Sequence, residues 1–137
     1  MGRAGPVKLL LDTHVWLWNL VAPARLGRRA RIAVRRTGNE LWLSPMSVWE
    51  VLLLAERGRI RLDSEPRRWV SEALASSPVQ AAVVTAEVAI RSREVMSAHA
   101  DPVDRFLVAT ALTYDLTLVT ADETLIASKL CPVLPSR

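Results

Sequence analysis

Two short apolar runs, each followed closely by an aspartate, constrain this sequence more than any other feature. The first run covers residues 7–11 and leads into Asp12, and the second covers residues 116–120 and leads into Asp122. Apolar runs of this length are typical of strands that are buried on both faces of a parallel sheet. Parallel strands end at the same edge of their sheet, so we expect both aspartates at that edge, where α/β proteins bind their ligands.

The rest of the chain alternates between weaker strand patterns and helical patterns. Further strands are predicted at residues 41–43, 79–84 and 133–134, and the last is an edge strand confined by Pro132 and Pro135. Helical periodicity covers residues 15–21, 27–36, 48–57, 66–75, 86–97, 102–114 and 123–130. This alternation predicts an α/β fold with a mainly parallel sheet, and a length of 137 residues predicts a single domain spanning 1–137.

Composition places the chain among folded globular proteins, because half of its residues are apolar and 23% are charged. The N-terminal residues contain no apolar segment of the kind found in signal peptides, and no apolar stretch approaches the roughly 18 residues of a membrane span. A lone cysteine, Cys131, cannot form an internal disulfide. We therefore expect a cytoplasmic protein that does not contact a membrane.

Four acidic residues share one kind of position, at or near the start of a predicted helix: Asp12, Glu50, Asp104 and Asp122. Helix capping explains each of them singly, because acids in a first helical turn are favoured by the helix dipole. Ser47 and Glu50 fit a capping box, and Asp101 is a good N-cap before Pro102 at the first helical position. Capping does not explain why several such acids should gather at one sheet edge.

Carboxylates that converge repel one another and raise their own pKa values unless a cation neutralises them. A site made of oxygen ligands, without cysteine or clustered histidine, favours Mg²⁺ or Mn²⁺ over Zn²⁺. Such ions activate water and stabilise charge in phosphoryl transfer. The acids therefore indicate a metal-dependent enzyme that acts on phosphate esters.

Other chemistries have less support in the sequence. The few glycines occur in neither a phosphate-binding loop nor a dinucleotide fingerprint, and no G-x-S-x-G motif offers a nucleophile. The two histidines, His14 and His99, are far apart and are interpreted as structural or supporting residues. The five tryptophans offer surfaces on which bases could stack, but tryptophan at helical spacing among leucine and valine more often belongs to the core or to an interface, and we predict that position for them.

Positive charge is concentrated in the first half of the chain, where residues 1–68 contain 13 basic and 6 acidic residues, against 5 and 8 in residues 69–137. Six arginines fall between Arg25 and Arg36. One interpretation is a solvated helix face, and the other is a surface that binds phosphates of a polyanion. The candidate RNA-binding residues are Arg28, Arg29, Arg31 and Arg35.

Four segments of the sequence, taken together, resemble a known family. Residues 11–18, 44–51, 99–111 and 118–122 are similar, in order and spacing, to the motifs of PIN-domain proteins of the VapC type. The resemblance covers nearly the whole chain. Each motif is weak alone, but four motifs in register are specific.

The resemblance implies a three-layer α/β/α sandwich, a Mg²⁺ or Mn²⁺ site, and endonucleolytic cleavage of structured RNA by the toxin of a type II toxin–antitoxin system. It implies that such a protein is a homodimer and binds a cognate antitoxin. The implied catalytic residues are Asp12, Glu50, Asp104 and Asp122, of which Asp12, Asp104 and Asp122 would bind the metal. Supporting positions fall on Thr13, Ser47, Thr120 and Arg105. The bulky Trp16, Trp18 and Trp49 depart from the family's pattern and bear on its dimer and antitoxin surfaces.

Two alternatives remain at this point. One is a non-catalytic RNA-binding or regulatory module with the PIN fold, which the intact acids oppose. The other is a DNA nuclease of the related flap-type families, which are generally larger than 137 residues.

Overall fold

The computed structural model describes residues 6–95 and 100–137, in which five strands form one fully parallel sheet. The strands are β1 (Lys8–Leu11), β2 (Glu40–Leu43), β3 (Gln80–Ala81), β4 (Thr117–Thr120) and β5 (Val133–Pro135). Their order across the sheet is β3-β2-β1-β4-β5. The five predicted strands and the parallel sheet are confirmed, and β5 lies at an edge as expected, but the strand predicted over residues 79–84 is shorter and covers only Gln80–Ala81.

The seven predicted helices are all present. They are α1 (Thr13–Val21), α2 (Arg28–Arg35), α3 (Pro45–Glu56), α4 (Pro66–Ser76), α5 (Ala86–Glu94), α6 (Pro102–Tyr114) and α7 (Glu123–Ser128). A short 3-10 helix at Pro23–Arg25 was not predicted. The expected continuation of α5 to residue 97, and His99 in the resemblance, lie outside the described residues.

Helices cover both faces of the sheet, because the side chains of a strand point alternately to its two faces. Leu9 and Leu11 of β1 pack with α1 to α4 in one core cluster, whereas Leu10 packs with α6 and α7 in the other. This confirms the three-layer arrangement. Among residues 6–95 and 100–137, every helix is too short or too polar to cross a bilayer.

The pairing of β1 with β4 determines where the first two acids lie. Leu11 at the end of β1 is in register with Val119 of β4, and the Asp12 N–H continues the ladder by donating to the Val119 carbonyl at 3.0 Å. Asp12 and Asp122 therefore follow neighbouring strands at the carboxyl edge of the sheet, as predicted. Because α6 leads into β4, its first turn with Asp104 faces the same edge.

The predicted start of α3 is wrong, and so is the capping box. The helix begins at Pro45, and the N-cap is Ser44, whose Oγ accepts a hydrogen bond from the Met46 N–H at 3.0 Å. A proline at the first helical position has no amide hydrogen to satisfy and a φ suited to the helix. This start moves Glu50 into the second turn, where it no longer caps anything.

We expect Ser44→Ala to lower the free energy of unfolding by about 0.5 to 2 kcal/mol, because the amide of Met46 loses its acceptor. Ser47→Ala should change it little, since the buried Ser47 hydroxyl has no hydrogen-bond partner. Denaturant titration of both variants measures the difference. Equal losses would restore Ser47 as a cap.

Candidate active site

A hydrogen bond between two strand ends forms the centre of the candidate site. The Thr120 hydroxyl donates to Asp12 Oδ2 at 2.6 Å and accepts from the Asp122 N–H at 3.0 Å. Thr120 is fully buried, and its hydroxyl fixes the orientation of the Asp12 carboxylate. The Asp12 side chain caps no amide of α1, so its other oxygen remains available to a ligand.

The four predicted acids gather around one pocket with a volume of about 300 Å³. The pocket is bordered by Asp12, His14, Trp18, Glu50, Asp101, Asp104, Ala121 and Asp122. The strand ends contribute Asp12 and Asp122, and the helices α3 and α6 contribute Glu50 and Asp104. The structure thus brings together residues that are as much as 110 positions apart in the sequence.

Two acids of the pocket are also helix caps. Asp101 Oδ1 accepts from the Val103 N–H at 2.8 Å, which confirms the predicted N-cap of α6. Asp122 Oδ1 accepts from the Leu125 N–H at 3.0 Å and caps α7. Asp104, one turn into α6, makes no such bond among the described residues. Capping therefore accounts for Asp101, explains part of Asp122 and leaves Asp104 unexplained.

Two buried hydroxyls near the acids have no hydrogen-bond partner. They belong to Thr13 and Ser47, and both residues are fully buried. The Thr13 hydroxyl lies close enough to Glu50 to lower its pKa in part, but it does not make a full hydrogen bond with it. Trp16, Asn19, Ser64, Thr113 and Ser136 also have a buried side-chain atom without a partner and do not border the pocket, so the two hydroxyls do not by themselves indicate a bound ligand.

Burial and mutual repulsion raise the pKa values of three of these acids. Burial raises the pKa of Asp12, and the hydrogen bond from Thr120 opposes the rise. Burial also raises the pKa of Glu50, with smaller contributions from nearby acids. The pKa of Asp104 rises to about 7, first through burial and then through the charges of Asp101, Asp12, Asp122 and Glu50. At neutral pH a bound cation would therefore stabilise the carboxylates of the pocket.

The donor set fits a hard divalent cation, because the pocket offers carboxylate and hydroxyl oxygens and no thiolate. Within residues 6–95 and 100–137, however, no three acidic, histidine or cysteine side chains already form a metal site. Like-charged carboxylates that lack a counterion stay apart, and Mg²⁺ contacts few carboxylates because it retains several waters. The pocket matches the cation in chemistry, but its ligands are not preassembled.

Arg105 does not reach the acids, although it follows Asp104 in the sequence. It is 5% exposed, and its guanidinium donates to the carbonyls of Ser92 and Arg93 at the end of α5, at 2.8 and 3.3 Å. A cation at a helix C-terminus is stabilised by the helix dipole. Arg105 therefore joins α5 to α6, and its support for the site is confined to holding the start of α6.

The arginine-rich helix α2 begins close to the acidic edge. The Gly27 N–H donates to the Ser136 carbonyl, and the Ser136 N–H donates to the Thr120 carbonyl at 2.8 Å. The exposed Arg28 and Arg29 therefore lie near the end of β4.

The other end of α2 lies at the opposite edge of the sheet. Asn39, which directly precedes β2, donates from its side chain to the Ala33 carbonyl at 2.9 Å. Arg35 borders a cleft beside Asn39, about 10 Å along the helix from Arg28, and Arg31 lies between them, half-buried. The structure thus divides the four predicted RNA-binding arginines between two edges.

His14 and Trp18 border this pocket but were not predicted as site residues, and Asp101, which also borders it, was predicted only as a cap. The prediction that tryptophans belong to the core is confirmed for Trp16, which is 1% exposed, but Trp18 is only partly buried and Trp49 is 51% exposed. His14 and Trp18 are four residues apart on α1, the helix that starts directly after Asp12. That spacing was the available signal, because residues four apart share a helix face.

Comparison with known proteins agrees with this fold. A model of the PIN domain matches residues 9–128. The chain belongs to the PIN-domain family. Ribonuclease VapC22 from Mycobacterium tuberculosis is 33% identical over 118 residues, which cover 85% of this chain and 88% of that protein.

Solved structures of toxin–antitoxin proteins share the fold. A structure of VapBC2 from Rickettsia felis bound to a promoter DNA fragment matches with a TM-score of 0.70 and 11% identity, covering 96% of this chain and 100% of that chain. A toxin–antitoxin complex from Klebsiella pneumoniae matches with a TM-score of 0.63 and 22% identity, covering 94% and 98%. At these identities the matches establish the fold.

The raised pKa of Asp104 predicts that the fold loses stability as pH rises. Because the pKa is about 7 in the folded chain against an ordinary 3.8, the folded state retains a proton between these values that the unfolded state has lost. In EDTA, Asp104→Asn should therefore stabilise the fold by about 1 to 2 kcal/mol at pH 8, after allowance for solvent screening, and by little at pH 4.

Denaturant titrations at both pH values measure this gain. Asp63→Asn, which removes an exposed acid outside the pocket, should not reproduce it. An equal gain at both pH values would show that the charge of Asp104 does not destabilise the fold.

Proposed function

We propose that this protein is a Mg²⁺- or Mn²⁺-dependent endoribonuclease that cleaves structured RNA as the toxin of a type II toxin–antitoxin system. The observation that carries the proposal is the convergence of Asp12, Glu50, Asp104 and Asp122 on one pocket at the carboxyl edge of the sheet. The similarity to a protein named as a ribonuclease supports RNA as the substrate.

Asp12, Asp104 and Asp122 would hold the cation, since their oxygens border the pocket and two of them do not serve as caps. When bound, the cation would supply the Lewis acidity that activates water and stabilises charge on the phosphodiester. Thr120 keeps Asp12 in a single orientation through its 2.6 Å hydrogen bond. The raised pKa of Asp104 means that cation binding would displace a proton, so affinity should increase with pH.

Glu50 is suited to moving a proton at this site. Its carboxylate borders the pocket, its pKa is raised by burial, and it caps no helix. A raised pKa makes a carboxylate a stronger base toward a water molecule beside it. We assign it to accepting the proton of the attacking water.

We propose a cognate antitoxin and a second copy of this chain as partners, in the cytoplasm. The Klebsiella pneumoniae structure, described as a toxin–antitoxin complex, supports the first. A groove of about 440 Å³ adjoins the acidic pocket and shares Glu50 and Asp101 with it. Trp49 and Leu53 give this groove an apolar wall, and a protein segment bound there would cover the acids.

A non-catalytic RNA-binding module remains the second candidate. It is favoured by the exposed Arg28 and Arg29 of α2, which can bind RNA phosphates without any cleavage. The two candidates differ in whether RNA is cut, and a metal-dependent cleavage assay separates them.

Purified protein should cleave structured RNA in Mg²⁺ or Mn²⁺ and stop when EDTA is added. Asp104→Asn should lower the cleavage rate by roughly two orders of magnitude or more, because it removes an oxygen ligand and a negative charge from the pocket. Asp101→Asn is the matched control, since it keeps a good cap on the same helix and should retain most activity.

Full activity in EDTA would contradict the metal dependence. Loss of cleavage in Asp101→Asn with retention in Asp104→Asn would exchange the roles of the two residues. Absence of cleavage with intact RNA binding would favour the non-catalytic module.

The arginines at the two ends of α2 should differ in their contribution to RNA binding. Changing Arg28 and Arg29 to Gln should weaken binding and flatten its salt dependence by up to about two counterions, because both lie near the acidic edge. Changing Arg35 and Arg36 to Gln removes the same charge from the opposite end and should have a smaller effect. Titrations at several salt concentrations measure the salt slope of each variant. If both variants keep the wild-type slope, the solvated-face interpretation of α2 is correct.

A further inference from the structure

A stack of three side chains stands at one rim of the acidic pocket. The Arg25 guanidinium carbon lies 4.7 Å from the centre of the Trp18 ring, within the range of a cation–π interaction. The His14 and Trp18 ring centres are 5.6 Å apart with planes inclined by 48°. His14 and Trp18 border the pocket itself. The stack therefore connects an exposed cation to the wall that faces the acids.

Packing on the core holds this stack in place. Trp18 is partly buried and packs against the core cluster that includes α1, while Arg25 and His14 are exposed. The chain turns sharply behind the stack, because the Ala22 N–H donates to the Trp18 carbonyl at 2.8 Å and Arg25 follows in the 3-10 helix. An arginine laid on an indole is oriented before any ligand arrives, so less side-chain entropy is lost on binding.

The negative charge of the pocket indicates a role for the Arg25 guanidinium. An RNA strand that approaches the acids with its phosphates is repelled by Asp12, Glu50 and Asp104 unless positive groups stand beside them. Guanidinium groups bind phosphate oxygens through N–H groups, and aromatic or guanidinium planes stack on unpaired bases. The stack offers both at the mouth of the pocket.

We propose that Arg25, Trp18 and His14 form a nucleotide subsite next to the scissile bond. In this subsite Arg25 binds a phosphate of the RNA strand, and the exposed ring of His14, backed by Trp18, receives an unpaired base. The inference rests on the proposed ribonuclease function. It adds that the subsite binds an unpaired nucleotide next to the cleaved phosphodiester.

The test compares Arg25→Gln, Trp18→Leu and Trp18→Phe with wild type by steady-state cleavage of a short RNA hairpin with an unpaired loop. Arg25→Gln and Trp18→Leu should raise KM roughly fivefold or more while kcat changes little, because the reacting groups are untouched. Trp18→Phe keeps an aromatic plane and should recover part of the loss. Lys8→Gln, which removes one charge at the amino end of β1, should behave as wild type.

A second measurement does not require cleavage. Binding of the same oligonucleotide in EDTA, which prevents cleavage, should weaken in Arg25→Gln, and its salt slope should fall by about one. Thermal unfolding of each variant confirms that the fold is retained. A merely structural role for the stack would lower the unfolding temperature and leave the KM and the salt slope of the folded protein unchanged.

The outcomes separate this inference from the function on which it rests. If wild type cuts RNA and these variants have the wild-type KM and salt slope, the subsite is wrong and the ribonuclease stands. If wild type cuts no RNA but binds the oligonucleotide through Arg25, the subsite stands and the catalytic proposal fails. Loss of antitoxin binding in Trp18→Leu with unchanged RNA affinity would also overturn the subsite, since the stack would then serve a protein partner.

Discussion

Pairing between β1 and β4 is the constraint on which the rest of this structure depends. The two strands are neighbours in the centre of the sheet although more than a hundred residues separate them, and their register places the Thr120 hydroxyl 2.6 Å from Asp12. A shift of one residue would turn the apolar side chains of each strand to the opposite face. The burial that fixes the register therefore also fixes the position of the first acid.

The acids of the candidate site lower the stability of the fold. Each acid brought to the pocket is partly withdrawn from water and set beside like charges, which is why the pKa of Asp104 reaches about 7. Two features limit this cost. Asp101 and Asp122 each stabilise a helix start with one oxygen, and Thr120 donates a hydrogen bond to Asp12.

Local sequence patterns predicted the elements well and the site in part. The start of α6 at Pro102 was predictable because Asp101 and Pro102 both favour a helix start there, whereas at α3 the prediction placed the cap at Ser47 and missed Ser44, which precedes Pro45. The orientation of the Arg105 side chain could not be predicted from local sequence either. Its partners are carbonyls of α5, which only the packing of α5 on α6 brings near.

The contacts of Trp18 show why residue spacing alone did not predict its place in the pocket. In the sequence it is one of several tryptophans among leucines, and its partly buried ring does pack on the core. Its other contacts depend on a short 3-10 helix that returns Arg25 to its ring, and no periodic pattern predicted that helix. If the protein binds RNA as proposed, an acidic pocket that admits a polyanion needs cations at its rim. The concentration of arginine in the first half of the chain therefore has meaning only once the fold shows which arginines stand at the acidic edge.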